Sequence, residues 1–313
     1  MTPFYPAHRP TRRRFLTIAS AAALSLPLAG RAGAATLREW RGIALGAEAR
    51  LILDHPKADS LIAAAREEIS RLEAVFSLYR AESELSRLNA TGQLDAPSTD
   101  MVALLSLAGL AHEATGGLFD PTVQPLWAAY ATAAAEGRAL PEADRKAAQA
   151  LTGWRGVTVT PDRVVLARPG MALTLNGIAQ GYITDRVAAR LAGLGAGDLL
   201  CSMGEIAAIG HAPDGGPWPV TLTDGQRIGL SNRALASSAP SGTAFDAAGR
   251  LGHILDPQTG LPSAAPVSLV SVSAPSAAVA DALSTAGCLM TRPELDRAAA
   301  RFDAVRIEAF DAA

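Results

Sequence analysis

The chain has 313 residues, 49% hydrophobic and 19% charged, with a formal net charge of −2. That length can bury a full core as one large domain or two intimate subdomains, and the near-neutral charge gives no global case for nucleic acid or an anionic membrane surface. Two cysteines, Cys201 and Cys288, are too few for a disulfide scaffold; both sit in apolar runs that suit buried free thiols, with a bridge left open.

The N-terminus indicates a compartment. Arg12-Arg13-Arg14-Phe15-Leu16 precedes an apolar run from Ile18 to Leu28, and Arg31-Ala32-Gly33-Ala34-Ala35 follows. A charged segment, a short apolar segment and a small-residue site make a signal peptide. Twin arginine before Phe-Leu points to the Tat route, which exports folded proteins. A membrane anchor is the competing reading, opposed by the shortness of the run. The expected division is 1–34 as signal and 35–313 as the mature domain, soluble in the periplasm.

Ile43 to Leu53 reads as an opening strand. Ala58 to Phe76 is an amphipathic helix with Leu61, Ile62, Ala65, Ile69, Leu72, Val75 and Phe76 on its inner stripe. Ser98 or Thr99 caps a second helix that runs to Thr115 and stops at Gly116-Gly117. A polar helix follows Pro141. Short strands are expected at Val157–Thr160, Val164–Ala167 and Met171–Leu175. From Ile178, helical spacing of Tyr182, Ile183, Val187 and Leu191 predicts a helix that opens at the turn holding Gly177 and Gly181. Strands then recur at Leu199–Ser202, Ile206–Ile209, Val220–Thr223, Arg227–Leu230, Ala234–Ser238 and Val267–Ser273. Helices at Ser276–Met290 and Pro293–Phe302 and a strand at Ala304–Phe310 complete the chain. Strands and helices mix without regular alternation, so the fold class is α+β, with mixed or antiparallel sheets and flanking helices.

Three stretches could carry chemistry. The glycine turn before the Ile178 helix offers backbone N–H groups and a positive dipole end to a phosphate, although such turns also serve plain strand-to-helix packing. Asp281 and Thr285 are four apart near the start of a helix, so a carboxylate and a hydroxyl share one face and could ligate a hard cation such as Mg²⁺; capping and back-bonding are the plainer alternative. In His253-Ile254-Leu255-Asp256-Pro257-Gln258-Thr259-Gly260 the Asp-Pro and Thr-Gly pairs are turn chemistry, yet His253 and Asp256 could bind a ligand or move a proton. Dinucleotide, Walker, Cys-x-x-Cys, His-Glu-x-x-His and serine-hydrolase signatures are absent from the sequence.

Taken in order, Phe76-Ser77-Leu78-Tyr79 with Ser83-Glu84-Leu85, Gly116 to Thr122, Asn176 to Tyr182, Met203-Gly204-Glu205-Ile206, His253 to Gly260, and Ala280-Asp281-Ala282 with Thr285 resemble the ApbE family, the FAD:protein FMN transferases. The resemblance covers nearly all of residues 35–313 and implies an ApbE-like (T-fold-like) catalytic domain of two intimate subdomains. It implies that FAD is cut at its pyrophosphate and that FMN is esterified to a threonine or serine of a partner flavoprotein. Asp281, Thr285 and the Gly177 carbonyl would hold Mg²⁺, and His253 and Asp256 would lie beside the reacting phosphate. Leu45, Tyr79, Leu118, Phe119, Asp120 and Leu255 match positions lining the FAD site.

Three departures fall in the glycine turn, where the family pattern Asp-Leu-Gly-Gly-Ile-Ala-Lys-Gly becomes Thr174-Leu175-Asn176-Gly177-Ile178-Ala179-Gln180-Gly181. Thr174 and Gln180 thus put neutral groups where an acid and a cation stand at the FAD site. Asn-x-Gly-Gly-Asp becomes Ser202-Met203-Gly204-Glu205, and Ser284 stands where some members carry a second acid beside the metal. The implied partner is an FMN-binding domain of a periplasmic or membrane-associated redox protein, such as a respiratory pump subunit or a flavoprotein of nitrous oxide reduction. An FAD-binding protein or an FAD pyrophosphatase is the alternative.

Overall fold

The computed structural model describes Ala22–Ala23 and residues 37–246, 251–265 and 267–312. The signal-peptide expectation therefore lies outside the described residues, apart from Ala22 and Ala23. Among the described residues no helix is long and apolar enough to cross a membrane.

The main sheet has seven strands: β1 (Leu37–Ala44), β2 (Ala47–Asp54), β3 (Leu199–Met203), β4 (Ile206–Ile209), β5 (Arg233–Ser238), β6 (Val267–Ala274) and β7 (Arg306–Ala312). Each strand pairs antiparallel with the next in the chain. The sheet is thus a meander in sequence order, and the helices and the long 239–266 connection are excursions from it. This is the α+β class expected from the sequence. The expected opening strand Ile43–Leu53 is instead two strands. Leu45 and Gly46 both take positive φ, 46° and 84°, which is the backbone of a tight hairpin turn.

Strand alternation divides the core. Leu51, Leu53, Leu199, Cys201, Met203, Val270 and Val272 face the helices. Ile52, Leu200, Ile206, Leu235 and Leu269 face the other way, under Trp218, Val220 and Leu230 of the β-hairpin Trp218–Leu222/Arg227–Leu230. Period-two burial on both faces explains why these strands read as nearly continuous apolar runs. Cys201 and Cys288 are buried and free.

Three helices pack on the first face: α1 (Ala58–Phe76), α2 (Ala179–Gly193) and α3 (Ala277–Gly287). The first matches its predicted span, set by the apolar stripe. Two further helices, Glu84–Thr91 and Gln124–Ala135, were not expected. The first is short, and the second is apolar nearly all round, so neither shows a clean period.

The expected strand Met171–Leu175 is mostly buried but forms no strand and joins no ladder among the described residues. Its peptide edge is satisfied by the Asn89 side chain, which accepts from Leu173 N at 2.7 Å and donates to Leu173 O at 2.8 Å. An amide side chain here replaces a neighbouring strand.

Candidate active site

At the site α2 and α3 approach backbone to backbone. A Cβ on Gly181 would lie 2.4 Å from the Ala277 carbonyl oxygen, so only glycine allows this packing. Asp185, one turn later on α2, caps α3 across the gap. Its Oδ1 accepts from Ala277 N at 2.7 Å, and its Oδ2 accepts from Ala278 N at 3.1 Å and Ser276 Oγ at 2.7 Å. The first turn of α3 is therefore fixed against the first turns of α2, with Asp281 between them.

Asp281 is 3% exposed and accepts a hydrogen bond from Gly181 N at 3.1 Å. Thr285 stands one turn along; a Cβ on Gly177 would lie 3.0 Å from its Oγ1. A carboxylate, a hydroxyl and the Gly177 backbone thus converge. The glycine turn offers fewer free amides than a phosphate cradle would need. Asn176 N donates to Thr174 Oγ1, Ile178 N and Ala179 N donate to Leu175 O, and Gly181 N is given to Asp281.

These groups form one wall of a cleft of about 590 Å³, within the usual range for a ligand pocket. Thr174, Gly177, Gln180, Asp281 and Thr285 line this wall. Leu118, Phe119 and Asp120 come from the turn after the Thr99–Ala114 helix, and His253 and Leu255 come from the 239–266 connection. Tyr79 stands at the rim, 67% exposed. Asp120 is also structural: Oδ1 accepts from Thr122 N and Oγ1, and Oδ2 from Trp154 N.

The His253 ring is fixed by Thr243, whose carbonyl oxygen lies 2.8 Å from Nδ1. A carbonyl can only accept, so Nδ1 carries the proton and Nε2 of the neutral ring is free to take one. Burial lowers the proton affinity of His253, with the Thr243 bond opposing.

Two expected residues lie elsewhere. Leu45 is in the β1–β2 turn, where its N–H donates to Glu73 Oε1 at 3.0 Å, and it does not line the cleft. Asp256 is also outside it. Its Oδ1 accepts from Gln258 N at 2.7 Å and its Oδ2 from Thr259 Oγ1 at 2.9 Å, so the carboxylate is engaged in its own turn. That turn is clamped from outside by Tyr130 Oη on Gly260 O and by Gln149 Nε2 on Gln258 O.

One lining acid stood in the sequence only as part of the Met203-Gly204-Glu205-Ile206 motif, with no role given to it. Glu205, between β3 and β4, is 9% exposed and lines the cleft with Ser237. Burial and the Asp281 charge raise its proton affinity well above the carboxylate norm. Burial, with a smaller push from Asp185, likewise raises Asp281, while the Gly181 amide opposes. Among the described residues no basic side chain acts on either acid. An acid flanked by the apolar runs Leu199–Met203 and Ile206–Ile209 was the available signal. Two buried carboxylates without a counter-charge, beside a hydroxyl and a backbone turn, fit a hard divalent cation.

The sequence pattern that defines the ApbE family matches residues 45–309. The chain belongs to the ApbE family. Among curated relatives, the FAD:protein FMN transferase of Haemophilus influenzae is 33% identical over 237 residues, 68% of each chain. That of Treponema pallidum is 30% identical over 291 residues, covering 81% of this chain and 79% of its own. The apo structure of the Pseudomonas stutzeri flavinyl transferase ApbE superposes with a TM-score of 0.75 at 28% identity, covering 84% of this chain and 88% of that one. The motif stretches singled out in the sequence fall within the family match, and most of them meet at the cleft.

Proposed function

We propose that this ApbE-family chain transfers FMN from FAD to a threonine or serine hydroxyl of a partner flavoprotein. The observation carrying this reading is the convergence of Asp281, Thr285 and the Gly177 backbone on one wall of the cleft that His253 also lines. The names of the relatives support the flavin substrate.

Asp281 and Thr285, with the Gly177 carbonyl, would hold Mg²⁺. When bound, the cation supplies positive charge against the phosphate oxygens. The chain's own residues do the rest. The cleft, with Phe119 and Leu255 on its walls and Tyr79 at its rim, receives FAD and brings its pyrophosphate to the Asp281 wall. The acceptor hydroxyl oxygen forms a bond to the FMN phosphorus as the pyrophosphate P–O bond breaks and AMP leaves. His253 Nε2 takes the hydroxyl proton. Asp256 shapes the turn that carries His253.

The Arg12-Arg13-Arg14-Phe15-Leu16 segment supports export of residues 35–313 and an acceptor in the periplasm, an FMN-binding domain of a redox protein. The test incubates the protein with FAD, Mg²⁺ and such a domain, followed by ultraviolet imaging of a denaturing gel and intact mass. An acceptor heavier by one FMN, absent with Asp281→Ala, supports transfer. FMN and AMP without a labelled acceptor would make the protein a hydrolase, and bound but unchanged FAD would make it a binding protein.

A further inference from the structure

Beside Asp281 the cleft holds more acid than α2 and α3 use. Glu205 lines it from the β3–β4 turn and is nine-tenths buried. Its neighbour Gly204 lies against Gln180, and Gly181, the next residue of α2, donates to Asp281, so both carboxylates flank the first turn of α2. One carboxylate in this position has a high desolvation cost, and a second in the same cleft adds to it.

Next to Glu205 lies a second unusual group. Gln180 is 4% exposed and lines the cleft, and its side-chain amide has no hydrogen-bond partner among the described residues. It lies against the backbone at Gly204, where a Cβ would be 2.6 Å from its Cδ and Oε1. At the other flank Ser284 has no free charge to offer. Its Oγ donates to Asp281 O at 3.1 Å and shares a hydrogen bond with Ser238 Oγ at 2.8 Å.

We propose that Glu205 is a further oxygen donor to the divalent cation held by Asp281 and Thr285, and that the neutral Gln180 leaves it free for that role. The proposal rests on the cation placement given under Proposed function and deepens it. Hard cations take oxygen donors, and charge count sets their affinity. Asp281 and Glu205 together neutralise a divalent charge, which neither does alone. A lysine at 180 would set an ammonium group beside Glu205 and compete with the cation for it.

The test is Mn²⁺ binding to the metal-stripped, FAD-free full chain, read as loss of the free-ion electron paramagnetic resonance signal, with the unfolding midpoint measured in Mg²⁺ and in EDTA. Mn²⁺ takes the same oxygen ligands as Mg²⁺. Glu205→Gln and Gln180→Lys are each expected to weaken Mn²⁺ binding about tenfold or more, and to shrink the midpoint rise that Mg²⁺ gives the parent. Glu205→Gln binding Mn²⁺ as tightly as the parent, while Asp281→Asn loses it, overturns the role of Glu205 and leaves the cation placement standing. Asp281→Asn binding as tightly as the parent, or a parent that binds no Mn²⁺, overturns both. Should Glu205→Gln fail to fold, Gln180→Lys decides: an unchanged Mn²⁺ affinity sinks the proposal.

Discussion

The Gly181 amide and the Asp281 carboxylate meet at 3.1 Å across a helix contact that no side chain at 181 would permit. The same contact is fastened one turn later by Asp185, which caps α3 from α2. The position of Asp281 is therefore set by two helices, and a fault in either should move it.

Gly181→Ala is expected to be among the most damaging single changes in the chain. Its Cβ would lie 2.4 Å from a backbone oxygen, which cannot rotate away as a side chain would. Overpacking costs about 1–3 kcal/mol, and an unyielding backbone oxygen puts this case at the upper end. Asp185→Ala leaves the two N-terminal amides of α3 and the Ser276 hydroxyl without their partner, at about 2 kcal/mol. Urea unfolding of both variants checks the order, and both should lose Mg²⁺-dependent stabilisation.

Asp281→Ala and Thr285→Ala should differ in depth. The carboxylate supplies charge and is fixed by Gly181, whereas Thr285 supplies a neutral oxygen. FMN transfer is expected to fall about 1000-fold or more for Asp281→Ala and about 10- to 100-fold for Thr285→Ala. Raising Mg²⁺ should recover part of the Thr285 loss only. Rates of acceptor labelling across a Mg²⁺ series separate the two.

The legible parts of this chain were those with a strong period. The stripe of α1 and the apolar strands around Leu51, Cys201 and Val270 could be placed because burial on a known face dictates spacing. Leu45-Gly46 was hidden because an apolar residue in a left-handed turn carries no turn signature. Asp281 and Thr285 were readable as a pair on one helix face. Glu205 and Asp185 were not, because their roles come from elements far apart in sequence. Asp256 shows the converse: its spacing from His253 suggested joint chemistry, while its carboxylate accepts hydrogen bonds within its own turn and is not part of the cleft lining.

His253 should give the pH profile its acid limb. A general base works in its unprotonated form, and burial lowers the proton affinity of this ring below the usual histidine value. With Mg²⁺ saturating, so that Asp281 stays ionised, the rate should rise with pH through a midpoint below about 6.5 and level off toward neutral pH. His253→Ala should lower the plateau about 100-fold or more and erase the limb. Single-turnover labelling from pH 5 to 8 checks this; a limb that persists in the variant removes His253 from the role.

A second pH effect belongs to the fold. Glu68 is buried on α1 and accepts from Arg71 Nη2 at 2.7 Å and Arg190 Nη1 at 3.2 Å. The Arg71 hydrogen bond, against burial, holds its carboxyl below the ordinary value. The unfolded chain thus binds the extra proton first, so this stabilisation is full above the unfolded value near 4.3 and is lost as pH falls through the lower folded one. Arg71 is 43% exposed, which discounts the pair. Glu68→Gln should cost about 1–2 kcal/mol at pH 7 and less at pH 3.5, measured by urea unfolding at both.

Asp256 separates a turn-forming role from a chemical one. Its Oδ1 accepts from Gln258 N and its Oδ2 from Thr259 Oγ1. Asparagine keeps an acceptor for the backbone N–H and removes the charge; alanine removes both. If the residue only shapes the turn, Asp256→Asn should keep FMN transfer within about threefold, and Asp256→Ala should lose about 1 kcal/mol of stability. The Ala variant should also be slower, because the turn orients the segment that carries His253. A charge acting on the reacting phosphate predicts the opposite order, with Asp256→Asn as slow as Asp256→Ala while folding normally. Parallel labelling rates and unfolding curves for the two variants distinguish these outcomes.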